Sequence, residues 1–143
     1  MLQSLLRCYE RFRLSTYRSM FALLRERDGS LSATEAFSVD VIYLLRGPTI
    51  KEFADCLGIS QPNATYKVNQ LIQKGYIQKI PSLEDRRETH LQVTERYLRY
   101  AERGGQPLTR ALDSLQKQFS EQEMETFSRM IRALSDAIDS EQA

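Results

Sequence analysis

The densest run of hydrogen-bonding side chains lies between Ser60 and Lys74, where Gln61, Asn63, Thr65, Tyr66, Lys67, Asn69, Gln70 and Gln73 crowd together with little charge. If the run is helical and Ala64, Val68, Leu71 and Ile72 point inward, steps of about 100° per residue place Pro62, Asn63, Tyr66, Asn69, Gln70 and Gln73 on the far side. An amide pairs a donor with an acceptor, the pattern that matches an adenine edge in a DNA major groove. Tyr66, Thr65 and Lys67 suit phosphates or thymine methyls. A solvated helix face is the plain alternative, but such faces are usually mixtures of Lys and Glu, and an uncharged amide face favours nucleic-acid recognition. A second group follows in the stretch SLEDRR at 82–87, which puts Arg86 and Arg87 at a loop tip. Two guanidinium groups there fit a minor groove with its negative potential, and Asp85 can hold one of them by an ion pair. Taken alone, these residues fit a solvated surface turn equally well.

Other chemistries find little material. His90 is the single histidine and cannot form a metal cluster alone, so a structural or solvent-facing role is expected for it. Phosphate loops, dinucleotide fingerprints and nucleophile elbows are missing, and Gly104-Gly105 lacks the strand and helix pattern such loops require. No metal, no cofactor and no catalytic residue is expected. Cys8 and Cys56 have neither metal-site nor disulfide-framework spacing and should remain thiols in a reducing compartment. Cys8 reads as an inert core thiol, with a reactive thiol as the alternative.

The surrounding elements must position the amide face and the arginine loop. Leu5, Tyr9, Phe12, Thr16, Met20 and Leu23 recur at helical steps, so residues 2 to about 27 form one amphipathic helix ended by Asp28-Gly29. Ser32 with Glu35 is a capping box for a helix whose apolar side is Phe37, Val41, Leu44 and Leu45. Thr49 with Glu52 is a second box, opening a short helix stopped by Gly58. Ser60 caps the amide-rich helix, which ends at Gly75. Beyond Gly75 the period becomes two: residues 76–80 and 89–93 alternate like strands, with 81–87 as the hairpin loop between them. Thr94 can cap a further helix, in which Gly104-Gly105 and Pro107 predict a kink or break. Ser120 with Glu123 opens the last, carrying the stripe Met124, Phe127, Ile131, Leu134 and Ile138.

The expected fold is mainly α with a small two-stranded β wing. A helix-turn-helix with its wing spans 31–94, and residues 1–30 and 95–143 form a helical dimerisation region. At 143 residues, two independent cores are improbable. The net charge of +1 hides an uneven distribution: residues 61–90 hold five basic and three acidic side chains, residues 110–143 four and seven. No apolar run approaches the roughly 20 residues of a membrane span. The first residues also lack a secretory signal's apolar core, so a cytoplasmic protein is expected.

The motifs LSATE at 31–35, TIKEFA at 49–54, LGISQPNAT at 57–65, LIQKGYI at 71–77 and DRRETHLQVT at 85–94 together resemble the MarR family of bacterial regulators. The resemblance implies a homodimer whose terminal helices interleave and whose two winged lobes bind a pseudo-palindromic double-stranded DNA operator. It further implies repression relieved by a small-molecule or redox signal. By that resemblance the recognition helix is 60–74 and the wing signature falls on Asp85 and Arg87. The DNA-binding set is then Ser60, Gln61, Pro62, Asn63, Thr65, Tyr66, Lys67, Asn69, Gln70, Asp85, Arg86 and Arg87. Tyr9, Phe12, Tyr17, Phe37 and Tyr43 are proposed to line an effector pocket, with ordinary core as the alternative. The rival function is a winged-helix module whose amide face binds protein instead of DNA, separable by the salt dependence of duplex affinity.

Overall fold

The computed structural model describes residues 1–25, 31–82 and 88–141. In chain order its elements are α1 (Leu2–Leu24), α2 (Ala33–Leu44), α3 (Ile50–Leu57), α4 (Gln61–Gln73), β1 (Ile77–Pro81), β2 (Thr89–Val93), α5 (Glu95–Gln116) and α6 (Glu121–Glu141). They form two compact units, Met1–Gly104 and Gly105–Ala143. The expected mainly helical architecture with a two-stranded wing is the one observed.

Local chemistry starts and stops the helices of the first unit. At α2 the Ser32 amide donates to the Glu35 carboxylate (2.7 Å) while the Glu35 amide donates to the Ser32 hydroxyl (3.3 Å). Thr49 and Glu52 repeat the box at α3, at 2.7 and 3.2 Å. Each carboxylate lies near a helix N-terminus, where exposed amides and the helix dipole favour negative charge. Gly58 (φ 63°) and Gly75 (φ 77°) take the left-handed conformation that ends α3 and α4. There the amides of Ile59 and Tyr76 bond back to the carbonyls of Ala54 and Leu71. The turn after α2 bends through Arg46 (φ 60°) and Gly47 (φ 92°). Arg46 is a non-glycine residue in that region, at a steric cost of about 1–2 kcal/mol.

β1 and β2 pair antiparallel from Ile77↔Val93 to Pro81↔Thr89. A third short segment joins β2 through the Thr49↔His90 bridge and the Leu91 amide donating to the Pro48 carbonyl at 2.7 Å. Val39, Ile42, Phe53, Val68, Leu71, Tyr76, Leu91 and Tyr97 are fully buried in a core shared by α2, α3, α4, the sheet and the first turn of α5.

Three expectations need correction. The buried side of α2 is Ala36, Val39 and Ile42, whereas Phe37, Leu44 and Leu45 are exposed. This helix is apolar on both sides, so periodicity alone did not identify the one that meets the core. Of the kink or break expected near Gly104-Gly105, the break is absent, and α5 runs through Pro107 as one helix. Ser60 occupies the N-cap position of α4, but its hydroxyl makes no capping bond. The Thr94 hydroxyl, for its part, donates to the Gly75 carbonyl at 2.7 Å. The stop expected at Asp28-Gly29 lies outside the described residues.

Large apolar side chains remain uncovered on the long helices. On α1 only Met20 and Leu23 are buried, and Leu5, Leu6, Tyr9, Phe12 and Phe21 are exposed. In the second unit the Ser120 amide donates to the Glu123 carboxylate at 2.8 Å as α6 begins. Phe127, Met130, Ile131, Leu134 and Ile138 are exposed along that helix. No described helix is long and apolar enough to cross a membrane.

Candidate nucleic-acid interface

α4 buries Ala64, Val68 and Leu71 and turns the rest of its surface outward. Ser60, Gln61, Pro62, Asn63, Tyr66 and Asn69 are exposed, while Thr65, Lys67 and Gln70 are half-buried. The sequence pattern therefore assigned the sides of this helix correctly, except that Ile72, expected inward, and Gln70, expected outward, are both half-buried. Thr65 is less available than expected, because its hydroxyl donates to the Gln61 carbonyl one turn back (2.9 Å). Ser60, free of a capping bond, keeps its hydroxyl at the exposed start of the helix. Two of the amides are already engaged: Gln70 Nε2 donates to the Tyr66 hydroxyl (2.9 Å), and Lys79 Nζ from β1 reaches Asn69 Oδ1 at 3.5 Å. Lys67 and Gln70 also border a cavity of about 300 Å³ with Ser32, Thr34, Glu35, Ser38 and Leu71.

The C-terminal end of α4 is fixed by contacts far apart in sequence. Lys74 Nζ donates to the Glu35 carboxylate at 2.8 Å, with the two side chains 33% and 15% exposed. Arg96 donates to the Lys74 carbonyl at 3.1 Å, its guanidinium 4.5 Å from the Tyr76 ring centre. Burial works to raise the Glu35 pKa, but hydrogen bonds from Lys74 and Ser32 outweigh it and hold the carboxyl below its ordinary value. One carboxylate thus caps α2 and tethers α4. The cap was visible in the sequence and the tether was not, since nothing local marks a partner so distant. Lys79 and Arg96 were also missed. Lys79 at least left a signal, as an outward-facing basic residue on the strand that follows α4.

Asp85, Arg86 and Arg87 lie outside the described residues. The frame that carries them is described: the Ser82 amide donates to the Glu88 carbonyl (2.9 Å) at the base of their loop. His90 braces the same frame. Its Nδ1 lies 2.8 Å from the Gly47 carbonyl, which can only accept, so this nitrogen carries the hydrogen and ties β2 to the turn after α2.

The five aromatic residues proposed for an effector pocket divide. Tyr9, Phe12, Tyr17 and Phe37 are exposed, and Tyr9 and Tyr17 flank the Arg13 guanidinium at 5.4 and 5.8 Å. Tyr43 belongs to another group, its ring 5.6 Å from that of Tyr97, which is in turn 5.4 Å from Tyr100. The Tyr97 hydroxyl donates to Asp40 Oδ1 at 2.5 Å. Burial, followed by the Asp40 hydrogen bond, pushes the Tyr97 pKa far up, and burial with the Asp40 charge raises that of Tyr100. Cys8, read as a core thiol, is exposed, as is Cys56.

The MarR family profile matches residues 31–89. Among curated proteins none matches the sequence significantly. Solved structures do. FabT of Streptococcus pneumoniae in complex with DNA is 20% identical over 98% of this chain and 99% of its own, with a TM-score of 0.56. A MepR mutant from S. aureus reaches a TM-score of 0.62 at 15% identity, covering 96% and 97%. A MarR mutant from E. coli complexed with operator DNA reaches 0.51 at 19%, covering 92% and 93%. At these identities the structures establish the fold. The profile match, by contrast, falls on the capped helices α2 to α4, the positive-φ glycines and the first wing strand, so this lobe is similar in sequence to the MarR family.

Proposed function

We propose that the protein is a transcriptional regulator, a repressor, that binds a pseudo-palindromic double-stranded DNA operator as a homodimer and releases it in response to a small-molecule or redox signal. The observation that carries this reading is α4, a helix fixed at its C-terminal end by Glu35 and Arg96 that presents exposed Asn63, Tyr66 and Asn69 with little charge. A rigid helix with such a surface suits a major groove, in which base edges are read by amides and phosphates by hydroxyls and cations. The wing residues Asp85, Arg86 and Arg87 would add a minor-groove contact. Two relatives of the same fold were solved with DNA, one of them with an operator. In this reading the winged lobe is 31–94, residues 1–30 and 95–143 form the dimerisation region, and the protein works in the cytoplasm without catalysis of its own.

Homodimerisation follows from apolar surface. A stripe as broad as Leu5, Tyr9 and Phe12 on α1, matched by Phe127, Ile131 and Leu134 on α6, is costly to leave in water. Incubating the protein with random duplexes and sequencing what it retains tests the function. Recovery of a two-fold-related motif, bound with steep salt dependence, is expected. Retention of all duplexes alike, or of none, would favour the protein-interaction module.

A further inference from the structure

α4 carries one charged side chain along its whole length, Lys67. Asn69, two residues on, lies about 200° further round the helix and so marks the opposite flank. A cation reaches that flank from the sheet. Lys79 Nζ lies 3.5 Å from Asn69 Oδ1, and since an ammonium only donates, the amide oxygen is the end it meets. Lys79 stands on β1 two residues after buried Ile77 and pairs across the strands with buried Leu91. Strand alternation therefore keeps it on the side of the sheet that meets the core and α4. It is exposed, and among the described residues no carboxylate lies within ion-pair reach of it. Three residues further on, about 10 Å along the strand, Ser82 begins the base of the wing loop.

Position, more than charge alone, gives Lys79 its use. In the proposed reading α4 occupies a major groove and the wing loop the neighbouring minor groove. The wall between adjacent grooves is a sugar-phosphate backbone, so the protein surface between α4 and the loop faces phosphates. Lys79 stands on that surface. Its contact with Asn69 is long and exposed and is worth little in water, whereas a phosphate oxygen is a charged acceptor and forms the stronger bond. We infer that Lys79 is a phosphate-binding residue of the DNA interface, seated on the backbone between the two grooves, across α4 from Lys67. The inference rests on the proposed reading of DNA and adds to it a contact that carries affinity and no base preference.

Titrating the full chain as wild type, Lys79→Gln and Lys79→Arg against the selected duplex and an unrelated one, from about 50 to 200 mM salt, tests it. Lys79→Gln should weaken both duplexes by the same factor and lower the slope of log affinity against log salt by about one, so that its deficit shrinks about threefold over that range. Lys79→Arg, which keeps the charge, should keep the slope. Base preference and melting temperature should match wild type in both variants. Replacing single phosphates of the selected duplex by uncharged methylphosphonates locates the contact: at least one replacement in each half-site should weaken wild type and leave Lys79→Gln indifferent. A Lys79→Gln slope equal to wild type, a loss confined to one base pair, or the lack of any such phosphate would overturn the inference and leave DNA reading intact. A wild-type chain that retains no duplex would overturn the proposed function as well, so the two failures are told apart.

Discussion

In the proposed DNA complex Asn63 and Arg86 should fail in different ways when removed, one as a reader of base edges and the other as a cation for phosphate or the minor groove. Asn63 is exposed in the first turn of α4, its amide open to solvent. Asn63→Ala should cost on the order of 1–3 kcal/mol on the operator and blur preference at one base pair. Arg86→Ala should weaken binding to most duplexes and lower the slope of log affinity against log salt by about one. Titrations at several salt concentrations, on the operator and on an unrelated duplex, separate the two. Equal losses on both duplexes for Asn63→Ala would remove it from the reading surface. At this scale the sequence was readable wherever helix geometry alone decides direction, as for Pro62, Asn63 and Tyr66. It was not readable where a rotamer decides, as for Thr65, whose hydroxyl turns back to Gln61.

At the scale of elements, the helix starts were visible because Ser32 with Glu35, Thr49 with Glu52 and Ser120 with Glu123 are local patterns, and all three boxes form. What a helix packs against is not local. Phe37 and Val39 are equally apolar, and only tertiary contact put Val39 inside. The same holds for Glu35, whose second bond reaches the end of another helix. Its pKa is held below the ordinary value of about 4.5, so its contribution to stability is present above that value and fades as pH falls through the lowered one. Glu35→Gln keeps a capping side chain but loses the charge that faces Lys74. It should therefore destabilise by roughly 1–2 kcal/mol at neutral pH. The gap to wild type should close as pH falls through that lowered value, where wild-type Glu35 is itself protonated. Thermal melts of both proteins across that range measure it, and a gap that stays constant would assign Glu35 a purely local role.

On the scale of the whole molecule, the exposed apolar stripes have to be accounted for together. Ile131 is 47% exposed in the middle of the α6 stripe. In the proposed dimer that exposure vanishes, so Ile131→Glu would strand a charge in an apolar seam. It should shift sedimentation toward monomer or unfold the protein, whereas a wild-type chain that sediments as monomer at micromolar concentration would contradict the dimer. The second long-range property concerns time. Pro107 has no amide hydrogen, so α5 lacks one rung of its ladder, and the nearby Gly105 adds no side chain to hold the turn. The first turn of α5, by contrast, is anchored by buried Tyr97. Amide hydrogens should therefore trade with deuterium in two regimes along one helix, slowly near Tyr97 and quickly around Pro107, through local openings that leave the lobe core closed. Mass spectrometry of exchanged peptides would resolve the two rates. Pro107→Ala, by restoring the rung, should slow the fast one alone.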